Sequence, residues 1–82
     1  MGILCRLKPV GADPVPLVNK GGPRKATIRN GRATLTLRFN PPLDGKQEAE
    51  VAPGGVQVLD LPEGTSVWAR ATQAASVIVT EG

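Results

Sequence analysis

Turn-forming residues constrain this chain more than anything else in it: ten glycines and eight prolines among 82 residues, gathered in clusters. The clusters PVGADPVP (9 to 16), NKGGPR (19 to 24), NPPLDGK (40 to 46), APGG (52 to 55) and LPEGT (61 to 65) leave little room for a helix. They recur about every ten residues, the spacing at which turns separate short antiparallel strands. The runs between them alternate and favour β-branched residues: KATIRN (25 to 30), RATLTLRF (32 to 39), VQVLDL (56 to 61), SVWARAT (66 to 72) and SVIVTE (76 to 81), with a weaker strand at QEAEVA (47 to 52). The expectation is an all-β fold, a small antiparallel sandwich or barrel of five to six short strands. Asn30-Gly31 carries the strongest hairpin signal, because a type I′ turn needs positive φ at both central positions.

Alternation also assigns faces. In RATLTLRF, Ala33, Leu35, Leu37 and Phe39 share the side expected to face the core, and Thr34, Thr36 and Arg38 share the other. A final hairpin with Gln73, Ala74 and Ala75 as its loop sets Ala71 opposite Val77 and Ala69 opposite Val79. Trp68, the sole Trp, then points with Arg70 and Ile78 to the opposite face. Two readings of Trp68 stay open. Either the N-terminal segment or another strand covers it, or Trp68 and Arg70 anchor another subunit, as Trp and Arg dominate interface energetics.

The N-terminal stretch, residues 1 to 24, is expected to be an extended arm ahead of a β domain spanning 25 to 82. Its apolar residues include Ile3, Leu4, Leu7, Val10 and Leu17, while Pro9, Pro14 and Pro16 forbid a helix and suit extended backbone. Such an arm can hug its own domain as an edge strand or cross onto a neighbour.

Several function classes lose their chemistry at the level of composition. The chain contains no His and a single cysteine, Cys5. A Cys/His nucleophile pair, a Ser-His-Asp triad and a His-based metal site therefore cannot be assembled, nor can an intrachain disulfide. No enzyme activity, cofactor or metal is expected. NKGGPRK lacks the GxxxxGK[ST] spacing of a phosphate loop and reads as a turn. Glu48 and Glu50 share one side of a strand and match a glycosidase pair only in residue type; as edge charges they oppose aggregation. Gly2 stands where a myristoylation signal needs it, but Arg6 replaces the Ser or Thr of that signal. No apolar run approaches the roughly 20 residues that span a bilayer, so no membrane role and a cytoplasmic site of synthesis are expected.

Charge is unevenly spread along the chain. Residues 1 to 46 hold nine basic and two acidic side chains, and residues 47 to 82 hold one basic and five acidic ones. This asymmetry suggests a dipolar molecule whose basic part is a solvated surface, or else meets an acidic protein partner or nucleic acid. Nucleic acid is the weaker reading, since Phe39 and Trp68 are the only aromatics and single-strand binding relies on stacking platforms.

From NGRATLTLRF through APGG, VQVLDLPEGTSVWARAT and SVIVTEG, residues 30 to 82 resemble the small β proteins encoded among the structural genes of tailed bacteriophages. The matching residues are Pro53, Gly54, Gly64, Thr65, Val67, Trp68, Ala69, Arg70, Val77, Val79 and Thr80. The resemblance implies a non-enzymatic virion component, a head decoration (cement) protein on the capsid surface. It further implies the major capsid protein and copies of this chain, as a homodimer or homotrimer, as partners. A tail, baseplate or fibre-base adaptor of the same virion, or a small basic β-barrel that binds nucleic acid, are the alternatives. The candidate interface residues are Ile3, Leu4, Leu7, Val10, Leu17, Arg38, Trp68 and Arg70.

Overall fold

The computed structural model describes residues 4–81. Its elements are all strands: β1 (Leu4–Val10), β2 (Val15–Val18), β3 (Arg24–Arg29), β4 (Leu35–Leu43), β5 (Lys46–Val51), β6 (Val56–Leu61), β7 (Ser66–Ala71) and β8 (Ala75–Glu81). They build two antiparallel four-stranded sheets. Sheet A has the order β1-β8-β3-β6 and sheet B the order β2-β7-β4-β5. The all-β expectation holds. The strand count rises from five or six to eight, because the N-terminal arm contributes β1 and β2, the first as an edge strand of sheet A and the second as an edge strand of sheet B.

The pairing has a simple logic. β4 pairs with β5, β3 with β6, β2 with β7 and β1 with β8. The chain is thus one long antiparallel ribbon folded back on itself near its middle. Wrapping that ribbon brings β3 against β8 and β4 against β7, which completes both sheets. Eight strands wound in this way form a double-sheet jelly roll.

The reversal at the ribbon's centre is Asp44-Gly45, flanked by the pair Leu43 and Lys46. Both central residues have positive φ, 50° for Asp44 and 78° for Gly45, the requirement of a type I′ turn. The hairpin expected at Asn30-Gly31 does not form. β3 and β4 lie in different sheets, and this dipeptide is the crossing between them. Gly31 serves there by lacking a side chain, since a Cβ would sit 2.8 Å from the Ser76 carbonyl oxygen. Asn30 is buried, and its Nδ2 donates among the carbonyls of Ala33, Val51 and Ala52. One side chain thereby ties the β3–β4 crossing to the end of β5.

The expected β7–β8 hairpin is likewise replaced by a crossing between sheets. Its face assignment survives, because period-2 alternation does not depend on which strand lies alongside. Val67, Ala69, Ala71, Val77 and Val79 are buried, and Trp68, Arg70 and Ile78 point outward. Ala33, Leu35, Leu37 and Phe39 are also buried, as their alternation predicts, and join Ile28, Leu59 and Leu61 in a single core between the sheets.

At the end of the sandwich where the described termini meet, charge closes the core. Glu81 accepts a hydrogen bond from Arg6 of β1 and forms an ion pair with Arg24 of β3, whose Nε lies 3.3 Å from its Oε1. Arg6 also donates to the Leu17 carbonyl of sheet B, and Arg24 to the carbonyls of Asn19, Gly22 and Thr65. Two guanidinium groups thereby hold the β2–β3 and β6–β7 connections against the strands.

Asn30→Ala leaves three carbonyls without their donor and is expected to cost about 1–3 kcal/mol. Gly22→Ala, where nothing lies within 4 Å of the added Cβ and φ is not positive, is expected to be near neutral. Urea denaturation of both variants beside the parent checks the contrast.

Candidate interaction site

The outward side chains of sheet A form rows across its strands. Leu7 pairs with Ile78, Ile78 with Arg29 and Arg29 with Val56, so these four cross the sheet from edge to edge. The next row is Cys5, Thr80, Thr27 and Val58. Leu7 is 67 % exposed, Val58 54 %, Val56 50 % and Ile78 38 %. Four of the five large exposed hydrophobics among the described residues therefore share one sheet face. Exposed apolar residues are ordinary when scattered, and their collection on one surface is what carries information. Lys25 and Asp60 pair beside this patch at 3.9 Å.

Sheet B presents a different outer face. Pro16, Trp68, Arg38 and Glu48 form one row, and Arg70, Thr36 and Glu50 lie in the next. Glu48 stands 3.2 Å from Arg70 and 3.9 Å from Arg38, so one carboxylate fixes both arginines beside the indole. Trp68 is 39 % exposed, with Pro16 paired to it on β2 and Pro14 beside it in a shallow depression. The N-terminal segment thus flanks the ring and leaves much of it open.

The structure sorts the sequence-derived interface residues into three groups. Leu7, Arg38, Trp68 and Arg70 are exposed, Leu7 on sheet A and the other three together on sheet B. Val10 and Leu17 are buried at 3 % and 1 %, so they fill the core and are not available to a partner. The correction follows from β1 and β2 being integral strands, since residues of a free arm would expose these side chains. The Leu4 backbone pairs with Glu81, and Ile3 lies outside the described residues.

Sequence reasoning missed Val56 and Val58. In VQVLDL every second residue from Val56 and every second from Leu59 is a plausible inward set, and the larger leucines take the interior while the valines face out. The expected charge dipole is also corrected. Because each strand of the first half pairs with one of the second, basic and acidic residues are interleaved in space. Arg6–Glu81, Arg24–Glu81, Lys25–Asp60 and Arg38–Glu48 all join the two halves. Among the described residues no group of three or more His, Cys, Asp or Glu is placed to hold a metal ion.

No protein-family model matches this sequence, and no curated protein matches it. Two solved structures share its fold. Protein NMB1881 from Neisseria meningitidis is similar over 98 % of this chain and 73 % of its own, with a TM-score of 0.65 and 12 % identity. A protein of the Bacillus endospore appendages, described as a family of disulfide-linked pili, is similar over 98 % of this chain and 82 % of its own, with a TM-score of 0.61 and 14 % identity. At these identities the likeness is one of fold.

Trp68→Ala is expected to cost less than the roughly 3–5 kcal/mol typical of a buried aromatic, because the ring lies on an outer face. Leu37→Ala, fully buried, is expected to cost about 2–5 kcal/mol. Thermal melts of the two variants should therefore separate, with Leu37→Ala the lower.

Proposed function

We propose that this chain is a non-enzymatic structural protein that works by binding other protein surfaces, in its specific form a decoration protein on the outside of a phage head. The observation that carries the reading is the apolar outer face of sheet A, where Leu7, Ile78, Val56 and Val58 stand together. A cement protein needs no chemistry. It gains affinity by removing apolar surface from water, repeated over many equivalent sites on a shell. The Trp68, Arg38 and Arg70 cluster on sheet B supplies a second contact of the type that anchors interfaces. The phage resemblance of residues 30 to 82 supplies the shell as partner.

A second reading is favoured by one of the fold comparisons. A pilus protein of Bacillus endospores shares the fold over 98 % of this chain. A subunit that assembles with its own kind would present outward sheet faces for the same physical reason. The two readings differ in the partner, which is a shell in the first case and further copies in the second.

Peptide quantitation against the major shell protein in purified particles is the direct test, with a ratio comparable to the shell subunit expected for decoration. Absence from particles together with filaments of the purified protein in the electron microscope would overturn decoration in favour of self-assembly. The double variant Val58→Lys and Ile78→Lys is expected to stay folded, since both positions are exposed, and to bind particles at least about tenfold more weakly. Raising salt from about 50 to about 200 mM should change parent binding little, whereas contact with six or more phosphates would weaken it about a thousandfold or more.

A further inference from the structure

The two open sheets have four edge strands, and three of these are closed to further pairing by devices written into their sequences. β1 contains Pro9 and sets the charged Arg6 and Lys8 inward. β2 is four residues long, contains Pro16 and shifts register between Pro16 and Val18. β5 has charged side chains at Lys46, Glu48 and Glu50. β6 has no such device. Its sequence VQVLDL pairs with β3 in unbroken register from Val56 to Leu61, without proline or bulge and with Asp60 as its one charge. An edge of this kind presents a row of free N–H and C=O groups, a template for pairing with another strand.

The surroundings of β6 are open as well. A cleft of about 270 Å³ lies between β6 and β5, with Phe39, Leu43, Ala49 and Leu59 among the side chains that line it. On the outer face, the exposed Val56 and Val58 have cross-strand neighbours on the β3 side only, Arg29 and Thr27. A strand added beyond β6 would pair the free main-chain groups and supply the neighbours that these valines lack.

We infer that the added strand is the β6 of a second copy, paired antiparallel about a two-fold axis at Val58, so that two A sheets join into one continuous sheet. The sequence of β6 complements itself in this register, as a two-fold interface requires. Val58 stands opposite its own copy, Val56 opposite Asp60, and Gln57 opposite Leu59. The two Asp60 side chains lie at opposite ends of the paired segment, so no like charges face each other. An axis at Leu59 would set them on diagonal positions across the joint, and an axis at Gln57 would run the ladder into Gly54 and Gly55 of the preceding turn. Charge across the joint is complementary too. Arg29, which makes no ion pair among the described residues, flanks Val56 on β3, and Asp60 of the second copy flanks the same valine from the other side. The inference is independent of whether sheet A docks on a shell.

Sedimentation of the purified chain tests the pairing, with a monomer–dimer equilibrium that moves toward dimer as concentration rises as the expected result. Val58→Lys sets two like charges face to face at the axis. It is expected to keep the circular dichroism spectrum of the parent and to weaken the dimer at least about tenfold. Directly opposite residues have Cα atoms about 4.5–5.5 Å apart, within the span of a disulfide. Val58→Cys in a Cys5→Ser background, oxidised with oxidised glutathione, is therefore expected to give a dimer linked through position 58. Ile78→Cys in the same background, on the same outer face but two strands from the joint, is expected to give none. Backbone amides of residues 56 to 60 should exchange hydrogen more slowly as concentration rises, with those of β1 and β2 unchanged. A chain that stays monomeric at millimolar concentration overturns the inference, and so does a dimer that does not link through position 58, since association would then use another surface. If the β6 amides slow only when shell particles are added, the edge takes a strand of the shell, and pairing with a second copy is overturned.

Discussion

The antiparallel ribbon that turns back at Asp44-Gly45 determines which strands become neighbours. The Leu43–Lys46 pair at the turn is separated from the main ladder by an irregularity, and from Arg38–Glu48 outward the register is nearly constant. Leu35 meets Val51, Arg29 meets Val56, Val18 meets Val67 and Val10 meets Ala75. Charge supports that register from turn to termini. Eight of the ten basic residues lie before the turn and five of the seven acidic ones after it, so folding back at this point brings opposite signs together at Arg38–Glu48, Lys25–Asp60 and Arg6–Glu81. The exposed pairs Arg38–Glu48 and Lys25–Asp60 add little stability each. A misregistered ribbon would lose several at once, so their joint effect is on which pairing forms.

Inside and outside are divided unequally between the two sheets. Sheet B follows the usual rule, with leucine, alanine and phenylalanine inward and arginine, glutamate and threonine outward around Trp68. Sheet A carries apolar side chains on both faces, because its edge strands β1 and β6, and β8 through Ile78, turn hydrophobic residues toward solvent. Local rules broken together in one region are a sign of function in natural proteins. Here they coincide on the surface proposed to meet a partner.

How far the fold was legible follows from the range of each signal. Alternation is local, so the six strands between residues 24 and 81 and the inward set Ala33, Leu35, Leu37 and Phe39 could be read directly. Pairing is not local. Asn30-Gly31 and Asp44-Gly45 have the same turn chemistry, and only the approach of Ser76, distant in sequence, makes Gly31 a crossing point. β1 and β2 were hidden by their prolines and, in β1, by inverted polarity. Of the candidate site, Trp68, Arg70, Arg38 and Ile78 were legible as outward residues by alternation, whereas Leu7, Val10 and Leu17 stood together as apolar residues of an arm and could be sorted into surface and core only once their strands were in the sheets. Val56 and Val58 escaped because two alternating apolar sets compete in β6.

The described ends of the chain lie side by side, with Leu4 paired to Glu81 on adjacent strands of sheet A. This arrangement decides how the domain carries mechanical load. Tension applied between those ends would meet the β1–β8 ladder one hydrogen bond at a time, peeling it open from the end closed by Arg6 and Glu81. Tension applied through the outer faces would press on two packed sheets and find no such seam. A protein of this shape resists force best when gripped by its faces, and yields first when pulled by its ends.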